Sequence, residues 1–191
     1  MLSDRQQQII EESINIIDKK GIQGLTIKNL SKAIGISEPG IYRHFGSKTE
    51  ILLSILNNFK EMAIMLSGLM DDFQGTAVEK IEFLFTRMLA VFSESPSMVS
   101  VIFSEEIFKN EESLKIKITE VLNTHGKTID TIIQKGQDEK NVRGDIDRET
   151  LVLIIMGSLR MLVKRWDLSN HSFNLETEGK KLIAGLNKIL A

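Results

Sequence analysis

Cysteine is absent from this 191-residue chain. That excludes a disulfide framework and thiolate metal sites, and it fits a reducing compartment. Proline occurs twice and tyrosine once. Apolar residues recur instead at 3.6-residue spacing over long stretches, so almost nothing reads as strand and the chain is expected to be all-α. Long hydrophobic runs are missing too: the longest, Leu151 to Gly157, is far too short to span a bilayer. No basic segment leading into an apolar run opens the sequence, so no secretory signal and a cytoplasmic location are expected. There is no His-Glu-x-x-His and no phosphate-loop glycine pattern, and His125 and His171 stand alone. No metal, cofactor or catalytic residue is therefore expected, and the chain does not read as an enzyme.

What is present is ordinary in amount and uneven in placement. Hydrophobic residues make up 42% and charged residues 26%, enough for a real core without staples. The formal net charge is −2. Between residues 19 and 48, however, Lys19, Lys20, Lys28, Lys32, Arg43 and Lys48 face Glu38 alone, which leaves the rest of the chain at −7. A basic segment on an acidic body is an electrostatic footprint for a polyanion.

Helix signals divide the chain. Ser3-x-x-Gln6 is a capping box opening a helix that carries Ile10, Ile14 and Ile17 on one face and stops at Gly21. Thr26 caps a second helix with Ile27, Leu30 and Ile34 inward, Gly35 makes a turn, and Ser37 caps a third with Ile41 and Phe45 inward. Pro39 falls in that helix's first turn, where its missing N–H costs nothing. Ser47-x-x-Glu50 and Thr76-x-x-Glu79 open two further helices, the second ending at Ser95-Pro96. A short helix over about 98–108, a long one over 111–137, a polar loop over 138–147 and two helices over 148–167 and 174–190 complete the pattern. The expected division is a head of residues 1–47 and a helical body of residues 48–191.

Residues 26–48 carry the most chemistry. Thr26 and Ser37 stand at helix starts, where hydroxyls and free backbone N–H groups suit phosphate oxygens. Tyr42 can donate its phenolic O–H to a phosphate, and Lys48 adds a point charge at the next helix start. Glu38, Pro39, Gly40 and Arg43 are left to meet base edges: Arg43 suits guanine, Glu38 a cytosine amino group, and Gly40 admits close approach.

Gly21, Thr26, Gly35-Ile36-Ser37, Ile41-Tyr42-Arg43-His44-Phe45, Lys48 and Leu52 together resemble the amino-terminal signature of the TetR/AcrR family of transcriptional regulators, over about residues 5–55. The resemblance implies a nine-helix homodimer that binds a palindromic operator and represses until a small apolar or amphipathic effector enters the body. It places Thr26, Lys28, Ser37, Tyr42, His44 and Lys48 on phosphates and Glu38, Pro39, Gly40 and Arg43 on bases. It also implies a dimer interface from the last two helices, to which Leu151, Ile155, Leu159, Leu162, Trp166, Leu182, Leu186 and Ile189 are assigned. One departure is Ser31, where the family more often has alanine.

For the body, Met62, Met65, Met88, Phe85, Phe92 and Phe103 are candidate lining of an adaptable apolar pocket. Arg87 and Glu106 are charges within apolar runs, and either, pointing inward, would seek an oppositely charged ligand. Two other readings are open: an activator or effector-independent DNA-binding protein on the same fold, and a helical carrier or enzyme retaining the head.

Overall fold

A computed structural model describes residues 2–104 and 111–191. Among these residues there are nine helices and no strand: α1 Asp4–Gly24, α2 Ile27–Ile34, α3 Glu38–Tyr42, α4 Lys48–Asp72, α5 Ala77–Glu94, α6 Ser97–Ile102, α7 Glu112–Asp138, α8 Arg148–Leu168 and α9 Leu175–Leu190. The helix expected up to Phe108 is seen as far as Ile102, and residues 105–110 lie outside the described residues. The chain forms two compact units, one of residues up to Glu61 with Ser97–Val121, the other of Met62–Pro96 with Leu122–Ala191.

In the first unit, α1 begins at the expected capping box: Ser3 Oγ accepts from the Gln6 N–H, and Gln6 reaches back to the Ser3 N–H at 3.0 Å. Ile9, Ile10, Ile14 and Ile17 are buried on its inner face, against which α2 and α6 pack. The helix does not stop at Gly21 but breaks there (φ 66°, ψ 179°) and resumes for one short turn. Val99 and Val101 of α6 are buried, and Ser100 Oγ donates to Asp18 Oδ1 of α1 at 2.7 Å. Lys60 of α4 and Lys117 of α7 converge on the Glu120 carboxylate at 2.9 and 3.0 Å. Their hydrogen bonds, that of Lys60 foremost, hold Glu120 below the usual carboxylate range.

The second unit is built on α5, α8 and α9, which pack against one another. Thr76 and Glu79 form the expected capping box. The stripe Ala77, Lys80, Ile81, Leu84, Phe85, Leu89 and Phe92 of α5 is buried. Gly179 of α9 lies so close to Leu89 that a methyl group there would overlap its Cδ1 atom. The loop after α7 folds back, with the Asn141 and Val142 N–H groups donating to the Gly136 carbonyl. Arg143 then closes the end of α9: its N–H donates to Leu190 O at 2.8 Å while its guanidinium grips Asp145 through two 2.7 Å bonds.

Candidate functional site

The turn between α2 and α3 is fixed by small, local forces. Thr26 Oγ1 accepts from the Asn29 N–H at 3.1 Å and so caps α2. Gly35 takes a left-handed conformation (φ 77°, ψ 32°), and the N–H groups of Gly35 and Ile36 both donate to Ser31 O at 3.0 Å. A side chain at Gly35 would meet no neighbour, so glycine is required there by the backbone alone. Ser31 is buried and donates its hydroxyl to Lys28 O, which shows how serine fits where alanine is usual. Ser37 Oγ accepts from the Gly40 N–H at 3.2 Å and starts α3. Leu30, Ile41 and Phe45 are buried beneath this turn.

The opposite face is bare. Thr26, Lys28, Ser37, Glu38, Pro39, Tyr42 and Arg43 are exposed, and Gly40 and His44 are half-buried. Tyr42 is 52% exposed, which is far more than packing on its own helix would leave. Thr26 and Ser37 use their oxygen lone pairs as caps, so each keeps its O–H for an outside acceptor. The His44 N–H donates to Ile41 O at 2.9 Å, and its carbonyl accepts from Gln6 Nε2 at 3.3 Å. Lys48 departs from this pattern. Its Nζ is turned inward and donates to Ile22 O at 3.0 Å, beside the break at Gly21, and partial burial lowers its pKa. The expected capping box at Ser47 is shifted: Ser47 Oγ accepts from the Glu50 N–H, but the Glu50 carboxylate takes the Gly46 N–H at 2.6 Å.

The body residues assigned from sequence are not brought together. Phe85, Phe92 and Phe103 are core, Met62 and Met88 are half-buried, Met65 is exposed, and Glu106 lies outside the described residues. Arg87 does not point inward; it is exposed, with its guanidinium 5.2 Å from the Phe83 ring centre. It lies two turns beyond Lys80, along the edge of the buried stripe of α5. A cavity lies elsewhere in the second unit: a groove of about 630 Å³ lined by α4, α5, α7 and the α4–α5 connection, including Gly68, Asp71, Lys80, Lys127 and Ile132. Among the described residues, none of those assigned to a ligand from the sequence lines it, although Met70, one of the methionines of the body, does. Lys80 is the functional candidate that sequence reasoning missed. Its signal was available, because a lysine interrupts the apolar stripe of Ala77, Ile81 and Leu84.

Five of the eight residues assigned to a dimer interface are packed inside the chain. Leu151, Ile155, Leu159, Trp166 and Leu186 are buried within the chain itself, and Leu162 and Leu182 are half-buried. Trp166 donates its indole N–H to Phe173 O at 3.0 Å and packs at a tilt against the His171 ring, centroids 4.1 Å apart, so it closes the α8–α9 turn. Of the eight residues, only Ile189 is exposed. The exposed apolar residues of α8 are Leu153, Met161 and Leu168. A helix that is apolar nearly all round does not reveal from its sequence which stripe faces its own core.

A capped two-helix turn that leaves a tyrosine, an arginine and free hydroxyls on one bare face defines a helix-turn-helix DNA-binding regulator of transcription. Residues 9–55 match the model of the bacterial regulatory proteins of the tetR family, and residues 59–186 match the C-terminal region of YsiA-like proteins. The chain belongs to the tetR family of bacterial regulatory proteins. It is 22% identical over 171 residues to the fatty acid metabolism regulator protein of Bacillus subtilis strain 168, covering 88% of this chain and 86% of that protein. It is 22% identical over 166 residues to the nucleoid occlusion factor SlmA of Marinomonas sp. strain MWYL1, covering 85% and 84%. The fold matches that of the regulator FadR from Bacillus subtilis in complex with stearoyl-CoA with a TM-score of 0.84, at 18% identity, covering 97% of this chain and 99% of that one.

Proposed function

We propose that the protein is a cytoplasmic, homodimeric repressor that binds a palindromic operator through residues 1–47 and releases it when an amphipathic effector enters the body of residues 48–191. The observation that carries this reading is the bare face around α3. Lys28, Tyr42 and the hydroxyls of Thr26 and Ser37 are free to meet phosphates, and Glu38, Pro39, Gly40 and Arg43 are free to meet base edges. His44 and Lys48 flank that face. Lys48 retains two further N–H groups beside the one it gives to Ile22 O. The two-fold arrangement is drawn from the exposed apolar stripe of Leu153, Met161 and Leu168 on α8 with Ile189 on α9. Likeness to a regulator solved with stearoyl-CoA favours an acyl thioester or a related amphipath as effector.

Selection of duplexes from a random library tests this reading. The expected product is a palindrome whose half-sites lie about one helical turn apart. On that duplex, Arg43→Ala should relax the preference at one base position and cost about 1–3 kcal/mol. Lys28→Ala should weaken binding evenly across sequences and lower the salt slope by about one unit. Equal, weak binding to every duplex at low ionic strength would overturn the proposal. The second reading is a DNA-binding protein on the same fold that needs no effector. Operator binding that palmitoyl-CoA leaves unchanged would select it.

A further inference from the structure

The geometry points to the groove of the second unit as a binding site for the anionic head of an amphipathic ligand, with Lys80 as its anchor. That such a ligand is also the effector rests on the reading above; the binding itself does not.

Size and shape come first. The groove's volume of about 630 Å³ lies within the range of small-molecule sites. Gly68, Gly75, Ala77 and Gly136 keep its walls low, and Ile64, Met70 and Ile132 make part of them apolar. A Cβ atom at Gly68 would have nothing within 4 Å, so the space beside that stretch of α4 is open.

Charge decides the ligand class. Lys80 is only 9% exposed, yet no carboxylate among the described residues lies within 4.0 Å of it. Its ammonium donates to Met70 O at 3.2 Å, in the last turn of α4. One carbonyl meets one of three donors and cancels little of the charge, and burying a cation without a counter-ion is costly. Lys127, also on the groove wall, has no carboxylate within 4.0 Å among the described residues either, whereas Lys135 pairs with Glu139 at 3.8 Å. Asp71 is the one remaining acid of the lining, so the cations prevail by one.

Two hydroxyls of the wall, those of Thr128 and Thr131, are already committed as donors. Thr128 and Thr131 each donate backwards along α7, to Thr124 O and Lys127 O at 3.0 Å, and so turn methyl groups and lone pairs outward. The ammonium groups of Lys80 and Lys127 are left to take the head, and the apolar wall takes the chain that follows it.

Calorimetric titration of the full chain with palmitoyl-CoA, palmitate, hexadecanol and CoA alone, below micellar concentrations, tests the site. The wild type should bind at least one of the two acyl anions about tenfold or more tightly than the alcohol. The stronger of the two separates a phosphate-bearing head from a carboxylate. Lys80→Met should erase the preference while leaving hexadecanol within about threefold of the wild type. Were Lys80 merely a cap on α4, the variant would melt earlier but keep its preference for the anion, and the proposal would fall. Gly68→Leu, whose Cβ meets no neighbour and whose side chain narrows the groove, should weaken all the acyl probes about tenfold or more. A wild type that binds none of the probes, or makes no distinction between anion and alcohol, overturns the site while a selected palindrome would still stand. Anion preference without any selected duplex would leave the site and remove the regulator.

Discussion

Lys48 shows how a single side chain can serve the fold before it serves a partner. Its ammonium holds the Ile22 carbonyl beside the point where α1 breaks at Gly21. Ile22 O also accepts the Leu25 N–H, so removing the lysine strands no acceptor. Lys48→Met should therefore cost about 1 kcal/mol, a fall in melting temperature of about 2–4 °C in a thermal scan. An unchanged midpoint would remove the structural role. His125 makes a different point. Burial disfavours its charged form and lowers its pKa from the usual value of about 6.5. Above that value the imidazole is neutral both folded and unfolded. As the pH falls below it, the unfolded chain takes up the proton first, so stability declines. His125→Gln should flatten the loss of stability between about pH 7 and pH 5 in urea titrations. Parallel curves for the two proteins would mean that His125 does not govern it.

At the scale of the element, what was legible in the sequence was whatever depends on near neighbours. The caps at Ser3, Thr26, Ser37 and Thr76, the turn at Gly35 and the stop at Ser95 all follow from residues three or four apart. The face around α3 was readable for the same reason. The body was not, because its helices are assigned faces only by what packs on them. Arg87 and Lys80 both interrupt the apolar sequence of α5 and, two turns apart, project to nearly the same side of the helix, yet one is exposed and the other buried, which only the packing on each turn decides. The packing of α9 on α5 is equally unwritten in either segment. Gly179→Ala would force a methyl group against Leu89, itself buried, and should cost about 1–3 kcal/mol. Gly68→Ala, on an exposed stretch of α4 with no neighbour, should instead stabilise by about 0.5–1 kcal/mol. Equal effects of the two in denaturant unfolding would contradict this account of the α5–α9 contact.

For the molecule as a whole, charge and apolar surface are distributed by task. The basic surplus lies within residues 19–48, and the remainder is acidic, which favours one orientation toward a polyanion. Leu153 and Leu168 are each 72% exposed and Met161 is 62% exposed, an unusual outlay of apolar surface on one helix. If the proposed dimer forms through this stripe, Met161→Lys should give a monomer by light scattering at micromolar protein where the wild type is dimeric, and it should lower operator affinity with it. A variant that stays dimeric would move the interface to another face. The head-bearing unit is also discontinuous: α6, some forty residues beyond the end of the amino-terminal family match, shields the isoleucine face of α1. A fragment trimmed to residues 1–60 would bare that face to water. It should give poorly dispersed amide resonances and aggregate, so this DNA reader is not expected to be portable as a stand-alone module.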